Sequence, residues 1–181
     1  MSKLALALAA SALCALTAPT AAFASDESET AIAAASTAAV DARVDSMDLL
    51  GAKSLKPGAY VWHDNGSPEA PRVVISLGDQ LAYVYRGDQL IAVSTISSGK
   101  PGKDSPAGEF NVLAKEEMHR SKKYDDAPMP WMQRIDNYGI ALHAGFNPGY
   151  PASHGCIRLP AAFAKKLYGI TDVGTTVLIG A

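Results

Sequence analysis

The stretch from Leu142-His143-Ala144-Gly145 to Ser153-His154-Gly155-Cys156-Ile157-Arg158-Leu159 concentrates the residues that can do covalent chemistry. It holds Cys156, two of the chain's four histidines and an arginine, interleaved with Gly145, Pro148, Gly149, Pro151 and Gly155. A thiolate is a strong nucleophile, but a thiol with a pKa of about 8.5 is only a few per cent ionised at neutral pH. A neighbouring imidazole can take the proton, hold an ion pair and raise the reactive fraction. His154 is two residues from Cys156, so in an extended chain the two side chains share a face. Gly155 between them permits a bend that parts them. His143 lies 13 residues before Cys156, at the end of an expected strand. A returning loop can bring such a base against the nucleophile on a rigid scaffold. Spacing alone does not choose between the two histidines. The glycines let backbone approach a ligand closely and aim several N–H groups at one point.

The elements that must position these residues read as short strands and turns. Ala59–Trp62, Arg72–Leu77, Leu81–Tyr85 and Leu90–Ile96 form a meander, with turn signals at Pro57-Gly58, Gly78-Asp79-Gln80 and Gly87-Asp88. Gly108–Ala114 reads as a strand. Met132–Ile135 and Gly139–His143 read as strands around an Asp136-Asn137 turn, and Thr175–Ile179 as the last strand. Pro160–Tyr168 has the marks of a helix: a proline at its start, Gly169 at its end, and Phe163 and Leu167 one turn apart. Lys115–Pro130 is long, polar and contains proline, which predicts a lid or binding loop, with Tyr124, Met129 and Trp131 at its far end. Residues 31–50 predict a weak helix whose apolar face is mostly alanine and has little to bury. Residues 25–54 are therefore expected to be an Ala/Ser-rich arm or tether, and residues 55–181 the functional domain.

Composition narrows the class. The 181 residues are 48% hydrophobic and 19% charged, the balance of a globular protein. A net charge of -2 carries no basic excess, so nucleic acid is not an expected partner. Residues 1–24 read as a secretory signal: Lys3, the uncharged run Leu4–Leu16, then Ala22-Phe23-Ala24 as a small-x-small cleavage site. The run is short for a membrane span, which needs about 20 apolar residues, so no span is expected after cleavage. Cleavage removes Cys14 and leaves Cys156 without an intramolecular partner. A lone thiol in an oxidising compartment is kept either inert by burial or for its reactivity. Its Ser, His, Gly and Arg neighbours favour reactivity. His143, His154 and Cys156 lack a zinc spacing, even with His63 or His119 added, and no metal is expected.

Ser153-His154-Gly155-Cys156-Ile157-Arg158, preceded by His143-x-Gly145, resembles the signature of the L,D-transpeptidase catalytic domain (YkuD type). Ser94-Thr95 with Ser98-Gly99, and Ser105-Pro106-Ala107-Gly108-Glu109-Phe110, resemble that family's glycine loop and its Thr-Pro-x-Gly-x-Phe segment. The likeness runs from about Val73 to Ile179. It implies a mainly β fold, a β-sandwich or barrel-like domain with one or two short helices. It also implies that Cys156 is the nucleophile, His143 the base and the Ala144 backbone carbonyl the third member of the triad. The backbone N–H of Cys156, with that of Gly155 or His154, would form the oxyanion hole. Ser153, His154 and Arg158 would order the loop or bind substrate. Apart from the resemblance, Tyr124 and Trp131 read either as ordinary core or as lining of a substrate groove. The implied partners are peptidoglycan stem peptides, with a second stem or a lipoprotein amine as acceptor, in the periplasm or cell wall. No cofactor is implied. Water as acceptor would make the protein a carboxypeptidase. A different cysteine wall hydrolase and an inactive wall-binding module are the alternatives, and thiol labelling by a carbapenem separates the last from the enzyme. Ala144 and Ser105 depart from the family's commoner residues.

Overall fold

The computed structural model describes residues 25–51 and 54–181. The expected leader, residues 1–24, lies outside the described residues. Ten strands and two helices follow one another as α1 (Glu29–Leu50), β1 (Tyr60–Trp62), β2 (Pro71–Ser76), β3 (Leu81–Arg86), β4 (Gln89–Thr95), β5 (Gly108–Asn111), β6 (Ala114–Arg120), β7 (Pro128–Arg134), β8 (Ala141–Ala144), β9 (Ile157–Leu159), α2 (Ala161–Ile170) and β10 (Thr176–Gly180). Six strands form one sheet in the order β1-β4-β3-β2-β10-β5, and four form a second in the order β6-β7-β8-β9.

The large sheet is buried on both faces. Its middle strands therefore carry continuous apolar runs such as Val73-Val74-Ile75 instead of a strict alternation. The inner face contributes Val73, Ile75, Val84, Ile91, Phe110, Val177 and Ile179 to the main core. Leu142, Ala144, Ile157 and Leu159 meet them from the small sheet, and Phe163, Ala164 and Leu167 from α2. The outer face carries Val74, Tyr83, Tyr85 and Val93, which α1 covers.

The described part of the expected arm, residues 25–51, is thus not loose, because α1 docks on the sheet. Its buried positions are Ala31, Ala35, Ala39, Ala42 and Ser46. Small side chains let the helix backbone lie close to the strands, so close that a Cβ on Gly180 would stand 2.8 Å from the Ala35 carbonyl. The sheet supplies the bulk that the helix lacks. Asp26 extends the attachment with a β-bridge to Glu109.

Two further expectations change. The segment 115–130 is not an irregular lid. Most of it is a hairpin, β6 paired antiparallel with β7, with its tip at residues 121–127. β6 is largely exposed, so its sequence lacks the apolar alternation that marks a half-buried strand. Lys115 at its base donates to the Tyr168 carbonyl at 2.8 Å and to the Thr171 carbonyl, which ties the hairpin to the end of α2. The strand expected over 108–114 breaks at Val112-Leu113. There the Val112 N–H bonds Thr175 and the Leu113 N–H bonds Arg134, so the chain passes from one sheet to the other.

Candidate active site

β8 and β9 run parallel, with His143 opposite Arg158 and Leu142 opposite Ile157. Strand side chains alternate between faces. Leu142, Ala144, Ile157 and Leu159 consequently point into the core. His143, Arg158 and, one step before the strand, Cys156 point to the other face. Strand spacing and rise place diagonal neighbours such as residues 143 and 156 about 8 Å apart at Cα. Both side chains line one cleft of about 500 Å³, together with Ser153, His154, Arg158 and the hairpin tip.

His143 is 7% exposed. Its Nδ1 lies 2.8 Å from the Ala144 carbonyl, which can only accept, so Nδ1 carries the proton and Nε2 presents a lone pair. Burial pulls the imidazole pKa from 6.5 down to about 4, against the opposing pull of the Ala144 carbonyl; the Arg158 charge adds to the lowering. Cys156 is half-buried among Met129, Met132 and Ala141. Burial pushes its thiol up, opposed by a backbone bond from Ala141. The thiol donates to the Gly139 carbonyl at 3.7 Å. Both shifts favour a neutral thiol beside a neutral imidazole over the ion pair expected from the sequence.

The Cys156 loop is held from the far side by the chain that follows β4. Ser97 and Arg158 exchange two backbone bonds of 3.0 Å. The Ser98 carbonyl accepts from the N–H groups of Ala152 and Ser153, and the Lys100 N–H donates to the Ser153 carbonyl. The Ser153 hydroxyl donates to the Cys156 carbonyl and accepts from the Gly155 N–H at 3.0 Å. That last bond overturns one expectation: the Gly155 N–H is engaged and does not face the cleft as an oxyanion donor. The Cys156 N–H meets no acceptor among the described residues. Ser153 is almost fully buried, and its hydroxyl knits the loop through both of these bonds.

His154 stands in solvent and stacks on Tyr124, with ring centroids 4.5 Å apart and planes 15° from parallel. Partial desolvation and then the charges of Lys100, Arg158 and Lys103 hold its pKa below the ordinary value. The Arg158 guanidinium has no acidic partner among the described residues, and no carboxylate lines the cleft. Trp131 departs from expectation. Its φ of 56° interrupts the alternation of β7, and the ring packs on Tyr168 and Lys165 of α2, away from the cleft. His119 also lines the cleft, with its ring nitrogen 2.9 Å from Glu116. Tyr138 and Phe146 at the mouth were not foreseen; only their position next to the two catalytic-type segments hinted at them. No three His, Cys, Asp or Glu side chains converge as a metal-binding group among the described residues.

The model of the YkuD L,D-transpeptidase catalytic domain matches residues 70–179, more than half of the chain. The chain belongs to this family. Among solved structures, this YkuD-type domain is similar to an L,D-transpeptidase from Stackebrandtia nassauensis, 25% identical with a TM-score of 0.59, covering 76% of this chain and 65% of that one. An L,D-transpeptidase from Mycobacterium smegmatis is 21% identical with a TM-score of 0.58, over 61% of this chain and 58% of that one. L,D-transpeptidase 3 from Mycobacterium tuberculosis, in complex with a faropenem-derived adduct, is 22% identical with a TM-score of 0.56, over 62% and 60%. This chain thus spans about three fifths of the length of the solved structures it matches. No curated protein matches it. The mainly β fold with two sheets and two helices matches those structures, as the sequence resemblance implied, although α1 with its 22 residues is not short.

Proposed function

We propose that this chain is an exported L,D-transpeptidase that uses Cys156 to transfer an acyl group between peptidoglycan stem peptides. The observation that carries the reading is that His143, its Nδ1 proton held by the Ala144 carbonyl, lines the same cleft as Cys156. The thiol turns from the Gly139 carbonyl, and His143 Nε2 takes its proton as sulfur attacks the carbonyl of the third stem residue, a diamino acid. Proton transfer accompanies attack because neither partner favours its charged form at rest. The electron pair of the carbonyl moves to oxygen, where the Cys156 N–H receives it. The C–N bond to terminal D-Ala then breaks, His143 returns the proton to the departing amine, and a thioester remains. An amine of a second stem attacks the thioester, its proton passes through His143 to sulfur, and a 3→3 amide cross-link forms. A lipoprotein amine would take the same path.

The charge of the cleft supports this substrate class. Arg158 and the lysines of the hairpin tip face a space without carboxylates, which suits the free carboxylates of a stem peptide. Tyr124, braced on His154, offers an apolar wall. Export to the periplasm or cell wall fits the leader-like segment 1–24 and the substrate.

Purified protein incubated with tetrapeptide muropeptides should release D-Ala and form 3→3 dimers, read by mass spectrometry. Cys156→Ala should abolish both while keeping the fold. Undiminished D-Ala release by that variant sinks the reading, and D-Ala release with trimmed monomers alone assigns a carboxypeptidase.

A further inference from the structure

Ser105 lies outside the Cys156 loop in sequence yet touches it in the fold. The residue is 8% exposed. Its Oγ accepts from the Gly99 N–H at 2.9 Å and donates to the Gly155 carbonyl at 2.7 Å. The loop is wound tightly enough to hold it there: a Cβ on Gly99 would fall 2.0 Å from the Lys103 carbonyl and 2.7 Å from the Ser105 nitrogen. Across the contact, Gly155 sits at a φ of 117°, and a Cβ on it would meet the Ile140 side chain at 2.7 Å. Glycine is needed on both sides for the hydroxyl to reach one particular carbonyl.

That carbonyl shares a peptide plane with the Cys156 N–H. No peptide bond in the described chain is cis. In a trans peptide the C=O and the following N–H point in opposite directions. A hydroxyl that fixes the Gly155 oxygen on one side therefore fixes the Cys156 hydrogen on the other. The Cys156 N–H has no partner among the described residues, whereas Ser153 engages the Gly155 N–H.

We infer that Ser105 is a positioning residue for the oxyanion hole: its hydroxyl sets the Gly155–Cys156 peptide plane and so aims the Cys156 N–H at the oxygen that becomes negative during acylation. The inference rests on the acyl-transfer reading above. Removing a whole oxyanion donor costs about 10²–10³ in rate, and a donor left present but free to tilt loses part of that.

Two reactions of the same thiol separate this role from general support of the fold. Faropenem acylates by carbonyl attack: the S–C bond forms, the β-lactam C–N bond breaks and nitrogen takes the proton, through an oxyanion. Iodoacetamide alkylates by displacement of iodide, with no oxyanion. Intact-mass kinetics on the mature chain should show Ser105→Ala slowing faropenem acylation by about 10- to 100-fold while alkylation stays within about twofold. Ser105→Thr, which keeps the hydroxyl, should restore acylation. Ser105→Gly removes the hydroxyl without adding a second thiol, and Ser105→Asn offers an amide donor in its place; either decides the matter should the alanine variant not fold. Folded Ala or Gly variants acylated as fast as wild type overturn the proposal, as does an equal loss in both reactions. A wild-type thiol that faropenem leaves unmodified overturns the acyl-transfer reading and this inference with it.

Discussion

At the residue scale, the protonation of Cys156 and His143 has a direct consequence for reactivity. Burial raises the thiol and lowers the imidazole, so the resting pair is neutral. A preformed thiolate–imidazolium pair would be alkylated by iodoacetamide at a rate that is flat across neutral pH. The neutral pair instead predicts alkylation that climbs about tenfold per pH unit through neutrality, because only the ionised fraction reacts. A flat profile from pH 5 to 8 would show the ion pair to be dominant. Faropenem acylation behaves differently, since His143 is available as base down to about pH 4. His143→Ala should slow that acylation by about 10²–10⁴, the usual worth of a general base. His154→Ala, which removes a solvent-facing ring stacked on Tyr124, should cost less than about tenfold; the reverse order, in stopped-flow or mass kinetics, would exchange the roles. The nucleophile could be named from its residue type and its Ser, His and Gly neighbours, whereas spacing left His143 and His154 open and only the family resemblance favoured His143 as base. The donor assignment was not legible. Whether the Gly155 N–H is free depends on where the Ser153 hydroxyl turns, and whether Trp131 reaches the cleft depends on a single left-handed φ in β7.

At the element scale, the strands of the large sheet could be read from β-branched runs and turn residues, since both are local signals. The docking of α1, foreseen only as a weak helix, and the pairing of β6 with β7 could not, because each is stabilised by what it packs on. An alanine face buries little by itself, and its worth comes from Tyr83, Tyr85 and Val93 on a sheet built from sequence far away. The docking makes a specific prediction. Ala42 is fully buried between α1 and the sheet, whereas Ala34 on the same helix faces solvent. Ala42→Leu should overpack the interface and lower stability by about 1–3 kcal/mol. Ala34→Leu should change it by no more than a few tenths, about the difference in helix propensity. Urea unfolding of both variants checks this, and equal effects would mean that the helix is not seated as described.

At the scale of the whole molecule, the site occupies the seam where the two sheets are joined, with β8 and β9 on one side and the chain after β4 on the other. Such a placement makes the base part of the packing, so function and stability are coupled through His143. Its pKa is about 4 in the folded chain against an ordinary 6.5, a depressed value. The folded state therefore binds this proton less readily than the unfolded chain, and protonation favours unfolding. Stability from this group is complete above about pH 6.5, declines as pH falls below that, and is lost by about pH 4. A difference of this size corresponds to about 3 kcal/mol. His143→Gln keeps a polar side chain of similar length and cannot titrate. Thermal or urea unfolding from pH 7 to pH 4 should show wild type losing about 3 kcal/mol more than the variant, with the excess loss confined to the window between 6.5 and 4. Carboxylates elsewhere titrate in both proteins and cancel in the comparison. Parallel pH curves for the two would mean that the imidazole is solvated in the folded chain, and the base would then have to be sought in a less enclosed site.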